Sequence, residues 1–370
     1  MTTTWSIREV PVSQTTDAPE AWLLHGYTGA MNDCLLAAWG HRDFERTATE
    51  ILGSMHDQTY ESKPRLVAVA DDAHDAPDPD RVLGYAMINL PLQDNTHTGH
   101  VEVGVRPPYR RQGVGSALFD AGLALVRDAG RSQVTASTDQ HTEPPEGPGT
   151  LAATTGAGRV AVDEDGPRFL LARGFALEQV DRYSVFDLPF DPELIAKHHA
   201  EAEAHAGPDY RLVTWQSHVP EEWVDEYALL NTRMSTDAPL GGLDLEEDVW
   251  EAERIRTYEK QYEERGLPLL VLAAEHVPTH TLAAFTCFMP IPNSDEFVHQ
   301  TDTLVLKEHR GKRLGMLVKT ANLQRLAAER PAVRRVGTWN AEENSYMLAI
   351  NVALGFRPAG GSGEWQLKLS

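Results

Sequence analysis

The chain has 370 residues, 41% apolar and 24% charged, with a formal charge of −22. Its length predicts two domains, no apolar run approaches the ~18 residues of a membrane span, and the opening MTTTWSIREVPV lacks the basic-then-apolar pattern of a secretory leader. The negative charge opposes nucleic acid as a partner, and suits a cationic ligand and plain solubility equally.

In chain order, TWSIREV reads as a strand, followed by helices at DAPEAWLLHGYTGAMNDCLLAAWG and RDFERTATEILGSMH. PRLVAVA, RVLGYAMINL and HVEVGV are the next strands, recognised by β-branched content and alternation. GVGSALFDAGLALVRDAG then reads as a helix, SQVTAST as a strand, GPRFLLARGF as a short helix and DRYSVFDL as a closing strand. The second half repeats this order from YRLVTW to EWQLKL, which marks an internal duplication. Its register is legible: Val105, Arg110 and Gly115 recur 200 positions later as Val305, Arg310 and Gly315, and Gly174-Phe175 as Gly355-Phe356. The first half carries extra residues within Asp139 to Gly166, a Gly-, Pro- and Thr-rich stretch expected to be a surface loop or lid. DPELIAKHHAEAEAHAGPDY reads as a polar connecting helix ended by Gly207-Pro208. The expected organisation is one domain at 1–190, a linker helix at 191–208 and a second domain at 209–370. Cys34 and Cys287 lie too far apart for metal or redox spacing, as expected of reduced, buried thiols in a cytoplasmic protein.

VEVGVRPPYRRQGVGSALF, from Val101 to Phe119, passes from strand through arginines and glycines into a helix. Successive amides at Gln112, Gly113, Val114, Gly115 and Ser116, the helix dipole, and the cations Arg110 and Arg111 together make an anion site suited to a diphosphate. A nucleotide P-loop is excluded by the missing G-x-x-x-x-G-K-[ST], and a dinucleotide fingerprint by Leu118 in place of the third glycine.

The stretch resembles the cofactor loop of the GCN5-related N-acetyltransferase (GNAT) superfamily, V-x-P-x-x-[RQ]-x-x-G-x-[GA], at Val105, Pro107, Arg110, Gly113 and Gly115. The resemblance implies an α/β fold of two tandem GNAT domains, as in mycothiol synthase-like proteins. Each would be a mixed, mostly antiparallel splayed sheet flanked by helices. It also implies acetyl-CoA as cofactor, its pyrophosphate on the loop amides and its pantetheine beside the main chain of Val103 to Val105, between the diverging fourth and fifth strands.

The second loop, VLKEHRGKRLG, keeps Val305, Arg310 and Gly315, with Gly311 and Lys312 between, but places Arg313 at the family's first loop glycine. An arginine in a helical backbone would still point its N–H at a phosphate. In the last helix the family pattern N-x-x-A-x-x-x-Y-x-x-x-G-F is met at Asn344 and Gly355-Phe356, with Asn351 in the tyrosine position. The first half has Asp163 and Leu170 at those two places. The first copy thus has the better phosphate loop and the second the better acyl end. Polar residues in HQTDTLV and TWNAEEN favour the second for chemistry.

Transfer to an amine requires a proton acceptor. Glu102 and Asp302 coincide in the repeat and are candidate bases, with His299 an alternative. Equally, the carboxylates face solvent or an internal arginine. Tyr346 is expected in the core, and Cys287 as a packed thiol rather than a nucleophile. Asp237, Asp244, Glu246, Glu247 and Asp248 form either an acidic rim for an ammonium ligand or helix N-terminal charges. The reading is an acetyl-CoA-dependent N-acetyltransferase acting on a small-molecule amine. The alternatives are a non-catalytic acyl-CoA-binding or regulatory protein and a mycothiol synthase-like enzyme. Oligomeric state is left open.

Overall fold

The computed structural model describes residues 4–71 and 77–369. The chain divides into two compact units, one of Met1–Thr154, Arg159–Glu178 and Ser362–Ser370, the other of Thr155–Gly158 and Gln179–Gly361.

Unit 1 contains β1 (Trp5–Glu9), α1 (Trp22–Trp39), α2 (Ala48–His56), β2 (Glu61–Ser62), β3 (Arg65–Ala70), β4 (Val82–Pro91) and β5 (Thr98–Val105). α3 (Val114–Asp128), β6 (Gln133–Gln140), β7 (Thr150–Ala152), β8 (Arg159–Ala161), α4 (Asp165–Leu171) and the start of β9 (Ala176–Asp187) complete it. β1, β3, β4 and β5 pair antiparallel in that order, and β6 joins β5 in parallel. All six residues of β3, RLVAVA, are buried, as an apolar strand covered on both faces requires. α2 starts later than apolar spacing suggests because Thr47 and Glu50 form a reciprocal cap: each side chain accepts the other's backbone N–H, at 3.1 and 2.7 Å. That cap supplies two of the helix's orphan donors. Part of the expected loop at 139–166 is ordered as a hairpin of β7 and β8, with Val160 buried.

Unit 2 contains the rest of β9, α5 (Pro192–Ala206), β10 (Tyr210–Gln216), α6 (Val224–Asp237), α7 (Ala252–Glu264), β11 (Leu270–His276) and β12 (Thr281–Ile291). It continues through β13 (Ser294–Val305), α8 (Leu314–Glu329), β14 (Arg335–Ala341), α9 (Ser345–Leu354) and β15 (Arg357–Lys368) as far as Gly361. β10 to β13 are antiparallel, β14 is parallel to β13, and β9 pairs antiparallel with β14. α5, expected as a linker, packs with α8 through Ile195, Ala202 and Ala206, all buried. Its start is set by Asp191, which accepts N–H bonds from Glu193 and Leu194, ahead of Pro192.

The units differ from a simple cut near residue 200. EWQLKL, at the end of the second half, belongs to unit 1. There Trp365 is buried and donates its indole N–H to Thr138 Oγ1 at 2.9 Å, and Ser137 bonds Glu364 at 2.7 Å. Conversely, most of β9 lies in unit 2, paired from Asp181 to Asp187 with β14. Each unit therefore takes strand residues from the other half of the sequence.

Candidate active site

In both units the two parallel central strands separate. β5 pairs with β6 only from Thr98 to His100, and β13 with β14 only from Phe297 to Gln300. Beyond these points Val103 and Val105 keep their β4 partners, Ala86 and Gly84, on one side and have no β6 partner on the other. A free strand edge of this kind offers N–H and C=O groups to an extended ligand.

The loop after β5 reaches α3 through two left-handed residues, Arg111 (φ 61°) and Gly113 (φ 87°). Gly113 is the N-cap, without any side-chain cap, and a Cβ there would meet open space. The first amides of α3, at Val114, Gly115 and Ser116, are thus not capped by a side chain. In unit 2 the same two backbone positions are left-handed with the glycine and arginine exchanged: Gly311 (φ 79°) and Arg313 (φ 56°). Arg313 therefore keeps the turn by adopting the conformation of a glycine, not the right-handed helical one. Left-handed backbone costs a non-glycine residue about 1 kcal/mol. Arg313→Gly is accordingly expected to stabilise unit 2 by about 1 kcal/mol, read as a rise in denaturation midpoint at unchanged m-value.

The repeated arginine has a bracing role. Arg110 donates Nε–H to the carbonyl of Val105 at 3.1 Å, and Arg310 does the same to Val305 at 3.3 Å. Each ties the loop to the end of its strand. Arg111 meets exposed Asp165 at 3.4 Å, and Gln112 bonds the Pro108 carbonyl. In unit 2 the cations face carboxylates of the same unit. Asp237, its side chain 3% exposed, takes Lys307 at 2.8 Å and Arg310 at 3.1 Å. Arg313 pairs with Glu201 of α5 at 3.5 Å, and His205 reaches the Gly311 carbonyl at 2.8 Å. Lys312 is exposed.

Beside the free edge of β5, unit 1 gathers Glu102, Tyr85, Cys34, Trp39 and Asp139. Tyr85 donates its hydroxyl to Glu102 Oε1 at 2.7 Å. Its cross-strand partner is Gly104, where a Cβ would fall 2.2 Å from the Tyr85 ring; the glycine makes room for that ring. Tyr27 packs edge-on against Tyr85 at 5.3 Å. Asp139, on diverging β6, has a carboxyl raised to about 7 by desolvation and by the charges of Glu102 and Glu364, opposed by a hydrogen bond from Trp39. The residue is exposed overall, yet its carboxyl end is crowded by protein. Burial pushes the Cys34 thiol up to about 11 against the pull of Arg110, so it is not a thiolate nucleophile at neutral pH.

The second copy of the cleft is engaged with itself. Asn351 is buried and donates to Asn340 of β14 at 2.7 Å, while Asn344 caps α9 by accepting from Met347 N–H at 3.2 Å. Glu342 pairs bidentately with Arg182, both contacts at 2.6 Å, and Glu343 accepts from Gln179 at 2.7 Å. The polar residues of TWNAEEN thus bond to protein groups. His299 sits in the paired part of β13 opposite Gly337, its ring edge-on to Phe297 at 4.7 Å. Tyr346 is 88% exposed, contrary to the core position expected for it. Asp302 lines a cavity under α6 and α7 that also touches Asp248, whereas Asp237 and Glu247 of the anticipated acidic rim pair with Lys307 and Arg233.

The loop and Glu102 are candidates on the sequence alone, whereas Tyr85 and Asp139, which the structure brings beside Glu102, are not. A glycine inside a strand, Gly104, is the one local sign that a bulky neighbour crosses there. Asp139, at the start of the loop expected from the sequence, lies instead near the end of β6.

Residues 29–144 match the acetyltransferase (GNAT) family profile. A tandem GNAT protein from the clavulanic acid biosynthesis pathway, solved without AcCoA, is 23% identical, with 99% of this chain and 98% of that one covered at a TM-score of 0.73. A GCN5-related N-acetyltransferase from Sphaerobacter thermophilus is 14% identical over 98% and 95% of the two chains, with a TM-score of 0.57. No curated protein sequence matches significantly. Among the described residues no helix is long and apolar enough to cross a membrane. Residues 29–144 thus match the GNAT family profile, and the chain as a whole has the fold of a tandem GNAT protein.

Proposed function

We propose that the protein is an acetyl-CoA-dependent acyltransferase acting on a small-molecule amine, with acyl transfer in unit 1. One observation carries this: the uncapped start of α3, reached through left-handed Gly113, opens next to the free edge of β5. The residues present fit the cofactor, since a diphosphate would meet uncapped amides and helix-dipole charge there, whereas in unit 2 Asp237 and Glu201 already neutralise the loop cations. Acetyl-CoA, when bound, supplies the acyl group as a thioester. Glu102 accepts the proton released by the acceptor's ammonium, held in place by the Tyr85 hydroxyl. Asp139, its carboxyl raised to about 7, holds a proton on part of the molecules near neutral pH and would be the proton donor for a leaving thiolate when the cofactor is bound, the duty left vacant by Leu170 in the tyrosine position. The similar tandem GNAT structure is of a protein from the clavulanic acid biosynthesis pathway by its name, which supports a small metabolite as acceptor.

Titration calorimetry tests the placement of the cofactor. Acetyl-CoA is expected to bind with one equivalent per chain. Gly113→Glu, a negative charge at the diphosphate position in a backbone conformation that Arg313 shows a long side chain can adopt, should weaken binding at least about tenfold, roughly 1.4 kcal/mol. Arg313→Glu should leave it unchanged. Two equivalents would add a second site in unit 2, and sensitivity confined to Arg313→Glu would move the site there. Thiol release over an amine panel then tests turnover.

A further inference from the structure

Unit 2 has a half-open pocket of about 270 Å³ between α6, α7 and the sheet. Five of its lining residues are aromatic: Trp215, Tyr227, Trp250, Tyr258 and Tyr262. Three are carboxylic acids, Asp248, Glu259 and Asp302, and none is lysine, arginine or histidine. Glu259 is already matched, by Arg256 at 2.9 Å and His218 at 2.8 Å. Asp302 is different. Its described contacts are the neutral neighbours Thr301 and Cys287, the latter at 3.7 Å, and among the described residues no cationic side chain pairs with it.

The position of Asp302 has a structural cause. β12 and β13 lose register between Thr286↔Thr303 and Phe288↔Gln300, so that Cys287 alone opposes both Thr301 and Asp302. Such a bulge re-aims a side chain, and here it accompanies Asp302 facing the cavity. In unit 1 the equivalent Glu102 sits in an unbroken ladder opposite Met87 and is bonded by Tyr85. The two copies have thus diverged from a tied carboxylate to an unneutralised one beneath aromatic rings. The Asp302 carboxyl is raised by desolvation, and Tyr227 and Tyr262 are both raised by burial with a further contribution from its charge. Arg254 and Arg265 lie over the Trp250 and Tyr262 rings, but neither lines the cavity.

Asp302 is half-buried; a carboxylate partly withdrawn from water without a cation is poorly compensated, and aromatic faces attract cations. We infer that the unit 2 cavity is a binding site for an organic ammonium compound with an aromatic or apolar body, whose charge is met by Asp302 and whose body lies among Trp215, Tyr227 and Tyr262. The inference rests on unit 2 alone and is independent of acyl transfer in unit 1.

The probe is phenethylammonium, compared with phenethyl alcohol, which has the same body without the charge. Calorimetry on the full chain, without acetyl-CoA, should show the ammonium binding at least about tenfold more tightly than the alcohol. Asp302→Asn should reduce that preference to about threefold or less, with the alcohol's affinity little changed. Met234→Trp, which fills the cavity from α6, should abolish binding of both. Equal affinities in the unaltered protein, no binding of the ammonium at millimolar concentration, or a preference surviving Asp302→Asn would each overturn the assignment. The first two comparisons need no variant, so a misfolded Asp302→Asn protein leaves the test intact.

Discussion

Glu102→Gln is expected to lower kcat by about 100-fold or more, the usual worth of a positioned proton acceptor, with little change in acetyl-CoA affinity. The substitution is isosteric and leaves an amide oxygen to receive the Tyr85 hydroxyl, 2.7 Å from Oε1, so the cleft should keep its shape while losing basicity. Asp302→Asn should leave acetyl transfer unchanged. The companion variant Asp139→Asn separates the two carboxyls. If Asp139 returns the proton, kcat should decline as pH rises through about 7, where its carboxyl deprotonates, and that decline should vanish in Asp139→Asn. Steady-state thiol release across pH 5.5–9 would read both effects. Near-normal kcat in Glu102→Gln alongside an inactive Asp302→Asn would place the chemistry in unit 2 instead.

Lys319→Met is expected to stabilise the protein at pH 7 by roughly 4 kcal/mol, since each unit of pKa displacement corresponds to about 1.4 kcal/mol. Lys319 is buried on α8, and desolvation lowers it from 10.5 to about 7. Its ammonium lies 5.5 Å from the Phe356 ring centre. The repeat explains the oddity: unit 1 has Phe119 at this position, edge-on to Phe175 at 5.9 Å, so a lysine occupies an aromatic core site. Between pH 7 and 10.5 the unfolded chain holds a proton that the folded chain has released. Stability contributed by this group therefore rises with pH across that window and is lowest below 7, where the full penalty applies. Methionine fills the same space without a charge. The stability gap between variant and parent, from denaturant melts, should accordingly shrink between pH 7 and pH 10. A gap that is equal at both values would contradict the desolvation account.

The repeat was legible because its markers are local. A Gly-X-Gly turn after an alternating strand, and the same spacing 200 positions on, need no knowledge of distant contacts. The exchange of arginine and glycine between positions 111/113 and 311/313 was visible as letters, but not that all four adopt the same left-handed backbone. Glu102 and Asp302 looked equivalent from spacing. Their environments differ because one ladder is regular and the other bulged, and a bulge arises from how two strands meet. That the second half's polar residues are already engaged is hidden from the sequence for a similar reason: Glu342, Glu343 and Asn340 find partners at Arg182, Gln179 and Asn351, far along the chain or across a helix.

By itself, then, the sequence determined the order of elements, the duplication and the glycine-bearing turn before α3, since each depends on backbone preferences and side-chain periodicity within a few residues. Only the tertiary structure decided which strands complete which sheet, which loop cations are already paired, and which of two equivalent carboxylates meets a hydroxyl and which an aromatic cavity. Those outcomes depend on hydrogen bonds and charges brought together from distant positions, whose partners local patterning does not encode.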